Sequence, residues 1–142
     1  MGRIVTSVTV TSGKDHEKSF RCDALVDTGA TFLVLPTAWR DRLGDLNVMR
    51  TVSLETTTQD VVAGEVCGPV VIQLEGFDPI YSEVLFLEMT PVDGVYDPLV
   101  GYLVLEQSLA AVDMVRHQLM HAKTADLKTL TRFQRKADSI NG

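Results

Sequence analysis

The stretch SFRCDALVDTGATFLVLP, Ser19 to Pro36, limits what this chain can fold into more than any other segment. Side chains alternate across an extended chain. Phe20, Cys22, Ala24 and Val26 therefore take one face, and Arg21, Asp23, Leu25 and Asp27 take the other. This period of two predicts a half-buried β-strand. Asp27 shares a face with Leu25 and stands at the strand's end, where Thr28-Gly29 turns the chain. ATFLVLP then forms a second apolar run, stopped by Pro36. Any fold that buries both runs has to leave a carboxylate at the turn between them.

The flanking sequence continues in short strands. Ile4, Thr6, Val8 and Val10 alternate, and the polar cluster SGKDHEK reads as a hairpin connection. Thr37 is placed to cap a short helix through Leu43 that Gly44 closes, with Trp39 and Leu43 four apart on one face. Thr51 to Leu74 predicts a long hairpin rich in β-branched residues, and FDPIYSEVLFLEM gives a further strand. TPVDGVYDP is a loop with an Asp-Gly pair. LVGYLVLEQSLAAVDM mixes a short strand, a helix of one or two turns and another strand, with HQLMHA returning across VRH. Many short strands separated by turn signals predict a mainly-β domain.

At 142 residues and 45% apolar content, the chain predicts one domain over 1–123, with a helical or frayed tail over 124–142. In that tail Leu127, Leu130 and Phe133 would face inward, with basic residues outside as a solvated face. The net charge of −6 argues against nucleic-acid and membrane-surface partners. Cys22 and Cys67 are too few for a disulfide framework and read as reduced core thiols. Met1-Gly2 with Thr6 fits a loose lipidation pattern but reads better as the start of a strand. With no apolar signal core and no stretch of spanning length, the expected location is cytoplasmic.

By composition alone, an Asp-Thr-Gly triplet arises by chance in on the order of a few of every hundred chains this long. Its setting is more specific. With Leu25-Val26 before it and Ala30-Thr31 after it, the loop resembles the active-site loop of retropepsin-like (clan AA) aspartic proteases. That family also carries a distal apolar-apolar-Gly element opening a short helix. Leu99-Val100-Gly101 followed by YLVLEQSL supplies it here. The resemblance covers roughly Ile4 to Ala122 and is nearer to the small cellular bacterial or archaeal members than to the viral enzymes. It implies a mainly-β, partly closed barrel with one or two short helices, and an aspartic endopeptidase acting on an extended peptide or protein substrate without cofactor or metal.

The chemistry accounts for the residue types. Hydrolysis of a peptide bond needs one group to take a proton from water and another to polarise the carbonyl. Two close carboxylates cannot both ionise, so they share one proton and titrate as a pair. The chain holds one Asp-Thr-Gly triplet. Asp93-Gly94 lies in a Pro-containing loop without the apolar flank and reads as a turn, and Asp23 comes too early for the tight turn. A homodimer in which each subunit gives one catalytic Asp27 resolves the shortage.

By resemblance, Thr28 would hydrogen-bond across the two-fold axis, and Gly29 would let substrate approach. Ala30 and Thr31 would contact the peptide backbone, and Leu25 with Leu99 would line side-chain pockets. The alternative is a non-catalytic peptide-binding or assembly module on the same fold.

Two departures from the viral pattern stand out. Thr31 and Tyr102 replace an acidic residue and an arginine that pair in viral relatives, and in ETTTQDVVAG, on the hairpin where the family places its substrate-covering flap, Gly64 lies off the expected tip. His117 and His121 have a ligand-like spacing but read as surface residues, and Met89, Met114 and Met120 as core or interface filler.

Overall fold

The computed structural model describes residues 3–55 and 61–122. The expected flap tip, the tail and Met1-Gly2 lie outside the described residues. The strands are β1 (Val5–Ser12), β2 (Ser19–Val26), β3 (Leu33–Pro36), β4 (Asn47–Glu55), β5 (Val61–Leu74), β6 (Ile80–Leu87), β7 (Leu99–Val100), β8 (Ala110–Asp113) and β9 (Gln118–His121). A 3₁₀ helix spans Thr37–Leu43, and α1 spans Tyr102–Gln107.

Among the described residues, seven strands form one sheet in the order β1-β2-β7-β3-β6-β5-β4. A further pairing of β1 with β5 bends this sheet into a ring, leaving β4 outside on β5. The chain is mainly β, a ring of strands rather than a clean barrel. The length of β5 makes closure possible. Its second half pairs with β1 from Val70↔Ser12 to Leu74↔Val8, while its first half carries β4 and also pairs with β6. Register shifts between Cys67 and Val70, and between Val48 and Arg50, supply the local bending that such a ring requires.

The alternation expected for β2 is present. Ala24 is buried, and Phe20, Cys22 and Val26 pack against the main core with Val8, Leu35, Ile72 and Phe86. Leu33-Val34-Leu35-Pro36 is buried at every position because both faces of β3 are covered. Leu33 and Leu35 enter the main core, and Val34 enters a second cluster with Val66 and Leu85. A continuous apolar run, instead of an alternating one, is what two covered faces demand.

Three local expectations change. Thr37 does not cap a helix. It is the first residue of the 3₁₀ turn, whose cap position is Pro36 with no side-chain hydrogen bond. In 3₁₀ geometry residues three apart eclipse, so a four-residue spacing does not stack. Trp39 instead meets Phe20 and Tyr96 edge-on, at ring-centroid distances of 5.6 and 5.7 Å. β4 begins at Asn47, earlier than the Thr51 expected from β-branched content, because Asn47 and Val48 already pair with Gly68 and Cys67.

The Asp93-Gly94 pair is a turn. Both residues have positive φ, 52° and 76°, and Val92 and Val95 exchange two backbone hydrogen bonds across it. Two positive φ values in succession define the type I′ hairpin turn, for which Asp-Gly is favoured. HQLMHA does return as the partner of β8, from Ala110↔His121 to Asp113↔Gln118. Among the described residues no helix is long and apolar enough to cross a membrane.

Cys22 and Cys67 are free thiols. Burial, reinforced by the Asp23 charge and opposed by Arg42, pushes the Cys22 thiol from 9.0 up to about 11. A group that holds its proton more tightly when folded stabilises the fold fully below its unfolded value, and that contribution fades as pH climbs to the folded value. Urea unfolding of wild type and Cys22→Ala between pH 8 and 11 should show the wild type losing stability relative to the variant above pH 9. Parallel pH profiles for the two proteins would contradict the buried-thiol assignment.

Candidate active site

β2 delivers Asp27 to the surface, and backbone hydrogen bonds fix it there. The Leu25 N–H donates to the Pro98 carbonyl at 2.9 Å, and the Asp27 N–H donates to the Val100 carbonyl at 3.0 Å. Between them β2 and β7 run parallel, Leu25 beside Leu99 and Val26 beside Val100. On its other edge β7 meets β3 through Val34↔Leu99. The two-residue strand of Leu99-Val100 is thus clamped between the strand that enters the Asp-Thr-Gly loop and the strand that leaves it.

The loop closes on itself and on α1. The Gly29 N–H donates to Asp27 Oδ1 at 2.9 Å, and the Ala30 N–H donates to the Asp27 carbonyl at 3.1 Å. The first N–H groups of any helix lack intrahelical acceptors. Those of α1 find theirs in the loop: Tyr102 donates to the Ala30 carbonyl at 2.8 Å and Leu103 to the Thr31 carbonyl at 3.1 Å. Ala30 and Thr31 are thus tied to Tyr102 and Leu103 through main-chain groups.

The loop crosses directly over Gly101. A Cβ built there would lie 2.5 Å from the Thr31 carbonyl carbon and 2.6 Å from the Phe32 nitrogen. Only glycine lets the two backbones pass at that separation. Gly29 plays a different part from the one its place in the turn suggests. Its φ is not positive, and an added Cβ would meet only Asp27 Oδ1, at 3.2 Å. It keeps side-chain bulk away from the carboxylate.

Asp27 is half-buried and Thr28 exposed, and both border a depression of about 580 Å³ together with Leu25 and Val26. Leu25 and Asp27 thus do open to one space, as alternation along β2 requires. The remaining walls are Arg3 and Ile4 ahead of β1, Val112 on β8 and Met114 just beyond it. Sequence reading missed these four as site neighbours, because they lie more than twenty residues from Asp27 on either side or far beyond it in the chain. The period-two pattern of Ile4 and Val112 marks them only as strand residues.

Leu99 does not border this depression. It is part of the cluster of Val34, Val66 and Leu85, with Phe32, Val52, Leu87 and Met89 around it. Arg50 on β4 lies 5.3 Å from the Phe32 ring centroid and 3.6 Å from Glu83 on β6, tying the hairpin arm to the residue after Thr31. Gly64 pairs with Val52 and Leu87 inside β5. A Cβ there would press on Leu85 and Leu87 at 2.8 Å, so its place is set by packing.

Asp23 faces a separate depression, and its carboxylate accepts a hydrogen bond from Ser7 Oγ at 2.8 Å. His121 stacks on Phe77 at 4.3 Å and His117 is exposed. Among the described residues no cluster of three or more His, Cys, Asp or Glu could hold a metal ion.

No protein-family model matches the sequence. No curated protein matches it either. Among solved structures, EIAV protease complexed with the inhibitor HBY-793 aligns at a TM-score of 0.51 with 22% identity, over 74% of this chain and 86% of that one. The shared feature is the fold, which is of the retropepsin type.

Gly101→Ala should be among the most damaging single-methyl additions in the chain. The clash is with backbone, which cannot rotate away, and overpacking of this kind costs about 3 kcal/mol or more. Gly29→Ala should cost less, since it meets one carboxylate oxygen. Chemical denaturation of both variants measures the order, and equal midpoints would refute the crossing as the tighter constraint.

Proposed function

We propose that the chain is an aspartic endopeptidase that works as a homodimer, each subunit giving one Asp27 to a shared site for an extended peptide. The observation that carries this reading is the placement of Asp27. Its carboxylate stands on a hydrogen-bonded turn at the rim of a depression, on a loop braced by β7 and α1, within a retropepsin-type fold.

In the proposed mechanism the two Asp27 carboxyls share one proton. The ionised member takes a proton from water as the water adds to the scissile carbonyl. The protonated member donates its hydrogen bond to the carbonyl oxygen and so stabilises the charge developing there. Collapse of the tetrahedral intermediate breaks the C–N bond, and the leaving nitrogen takes up a proton from the pair. The Gly29 N–H, already donating to Asp27 Oδ1, holds the carboxylate in one orientation throughout. Thr28 would bridge the two loops, Ala30 and Thr31 would meet the substrate backbone, and Leu25, which opens to the same depression as Asp27, would contact its side chains. Water and these side chains suffice for the chemistry, with no cofactor assigned.

Asp27→Asn keeps the side chain's shape and its acceptor oxygen but removes the ionisable group. Incubated with an unfolded protein substrate between about pH 3 and 8, a range spanning carboxylate titration, the wild type should cleave and the variant should lose at least about a thousandfold in rate, with unchanged mass and unfolding midpoint. Cleavage by the variant at the wild-type rate would eliminate Asp27 as the catalyst. Peptide binding by the wild type without turnover at any pH would favour a binding module on the same fold.

A further inference from the structure

We infer that Trp39 is a positioning residue for Asp27. It grips Tyr96, the shielded residue in an otherwise exposed stretch leading into β7, and so holds the two main-chain hydrogen bonds that seat Asp27. The inference deepens the aspartic-peptidase reading and rests on it for its catalytic consequence.

The need for an anchor comes from β7 itself. It has two residues, and its parallel register with β2 is Leu25↔Leu99 and Val26↔Val100. The hydrogen bonds that seat Asp27 come from this segment and the residue before it, through the carbonyls of Pro98 and Val100. So short a pairing opens at low free-energy cost unless the chain leading into it is fixed from outside. That chain offers little to hold. From Thr90 to Asp97 every residue is exposed except Tyr96, which is half-buried. Val92 and Val95, around the Asp93-Gly94 turn, exchange their hydrogen bonds with each other.

Tyr96 rests on Trp39. Their rings meet edge-on with centroids 5.7 Å apart, and the same indole meets Phe20 edge-on at 5.6 Å. Such pairs are directional, so they set orientation as well as distance. Phe20 lies on β2, the strand that carries Asp27. Trp39 thus touches both chains that the β2–β7 pairing joins, β2 through Phe20 and the approach to β7 through Tyr96.

The indole is held in turn by its own element. Side chains three residues apart eclipse on a 3₁₀ helix. Arg42, three residues on, stands over the Trp39 ring at 4.7 Å and over the Phe20 ring at 5.7 Å. Leu43, one residue further, is buried in the main core and fixes the helix to the ring of strands. The path runs from the core through Leu43 and Trp39 to Tyr96 and Pro98, and ends on the main chain of Leu25 and Asp27. Trp39 does not border the Asp27 depression, so its effect on the carboxylate passes through the backbone.

Residue-resolved amide exchange and cleavage kinetics on the full chain test this, comparing wild type, Trp39→Leu, Trp39→Phe, Tyr96→Leu and the double variant Trp39→Leu/Tyr96→Leu. Leucine keeps apolar bulk and removes the ring edge. The Leu25 and Asp27 amides should exchange at least about tenfold faster in Trp39→Leu. The double variant should add little to either single change, since both remove one contact. Ile72, buried on β5 and paired with Val10 and Ile80, should keep its rate, and Trp39→Phe should stay close to wild type. Against the unfolded protein substrate, Trp39→Leu should lower kcat at least about tenfold with KM unchanged, and Trp39→Phe should restore it. Exchange at Leu25 and Asp27 that stays at the wild-type rate overturns the anchor. So does an equal rise at Ile72, which a general loss of stability would produce. Faster exchange with unchanged kcat overturns the positioning role. A wild type that cleaves nothing overturns the peptidase reading and the catalytic role with it, while the exchange rates still decide the anchor.

Discussion

The close passage of the Thr31–Phe32 backbone over Gly101 is the constraint on which the rest of the structure depends. Two chain segments separated by about seventy residues in sequence meet there at a spacing that admits no side chain. The crossing holds β7 between β2 and β3, and it brings the carbonyls of Ala30 and Thr31 to the open end of α1. Loop and helix each satisfy backbone groups that the other would leave unpaired. The geometry around Asp27 is consequently a property of the backbone, and the side chains at Thr31 and Tyr102 have no part in these bonds.

This explains how a site can keep its frame while departing from a family's side-chain pattern. An ion pair between those two positions would add a long-range electrostatic brace, subject to solvent screening. Main-chain hydrogen bonds are short, fixed in direction and independent of residue type. Thr31 and Tyr102 can vary as long as their backbone atoms stay in place, whereas Gly101 cannot.

Much of this was legible in the sequence, for identifiable reasons. Phe20, Cys22, Ala24 and Val26 announced an inner face because burial on one side of a strand imposes a period of two. Leu33 to Pro36 announced a strand covered on both sides by losing that period. Asp93-Gly94 announced its turn because few other pairs accept two positive φ values. The illegible parts were those set by distant partners. The edge-on packing of Trp39 between Phe20 and Tyr96 depends on partners that no local propensity encodes. The part played by Gly29 needed the position of Asp27 Oδ1. Ile4, Val112 and Met114 became neighbours of Asp27 only once β1 and the hairpin had packed, and nothing in their own surroundings marks them for it.

β4 has a consequence for how the molecule comes apart. Of its nine residues only Val52 is even partly shielded, and the strand hangs on β5 outside the closed ring. Peeling it away exposes little apolar surface, so its hydrogen bonds can open without the cooperative loss of the core. Local openings of that kind have free energies well below the global one. The ring and the arm are thus two layers of stability within a single chain: a closed body that fixes the carboxylate, and an outer strand whose side-chain link to the Asp27 loop is Arg50 over the Phe32 ring.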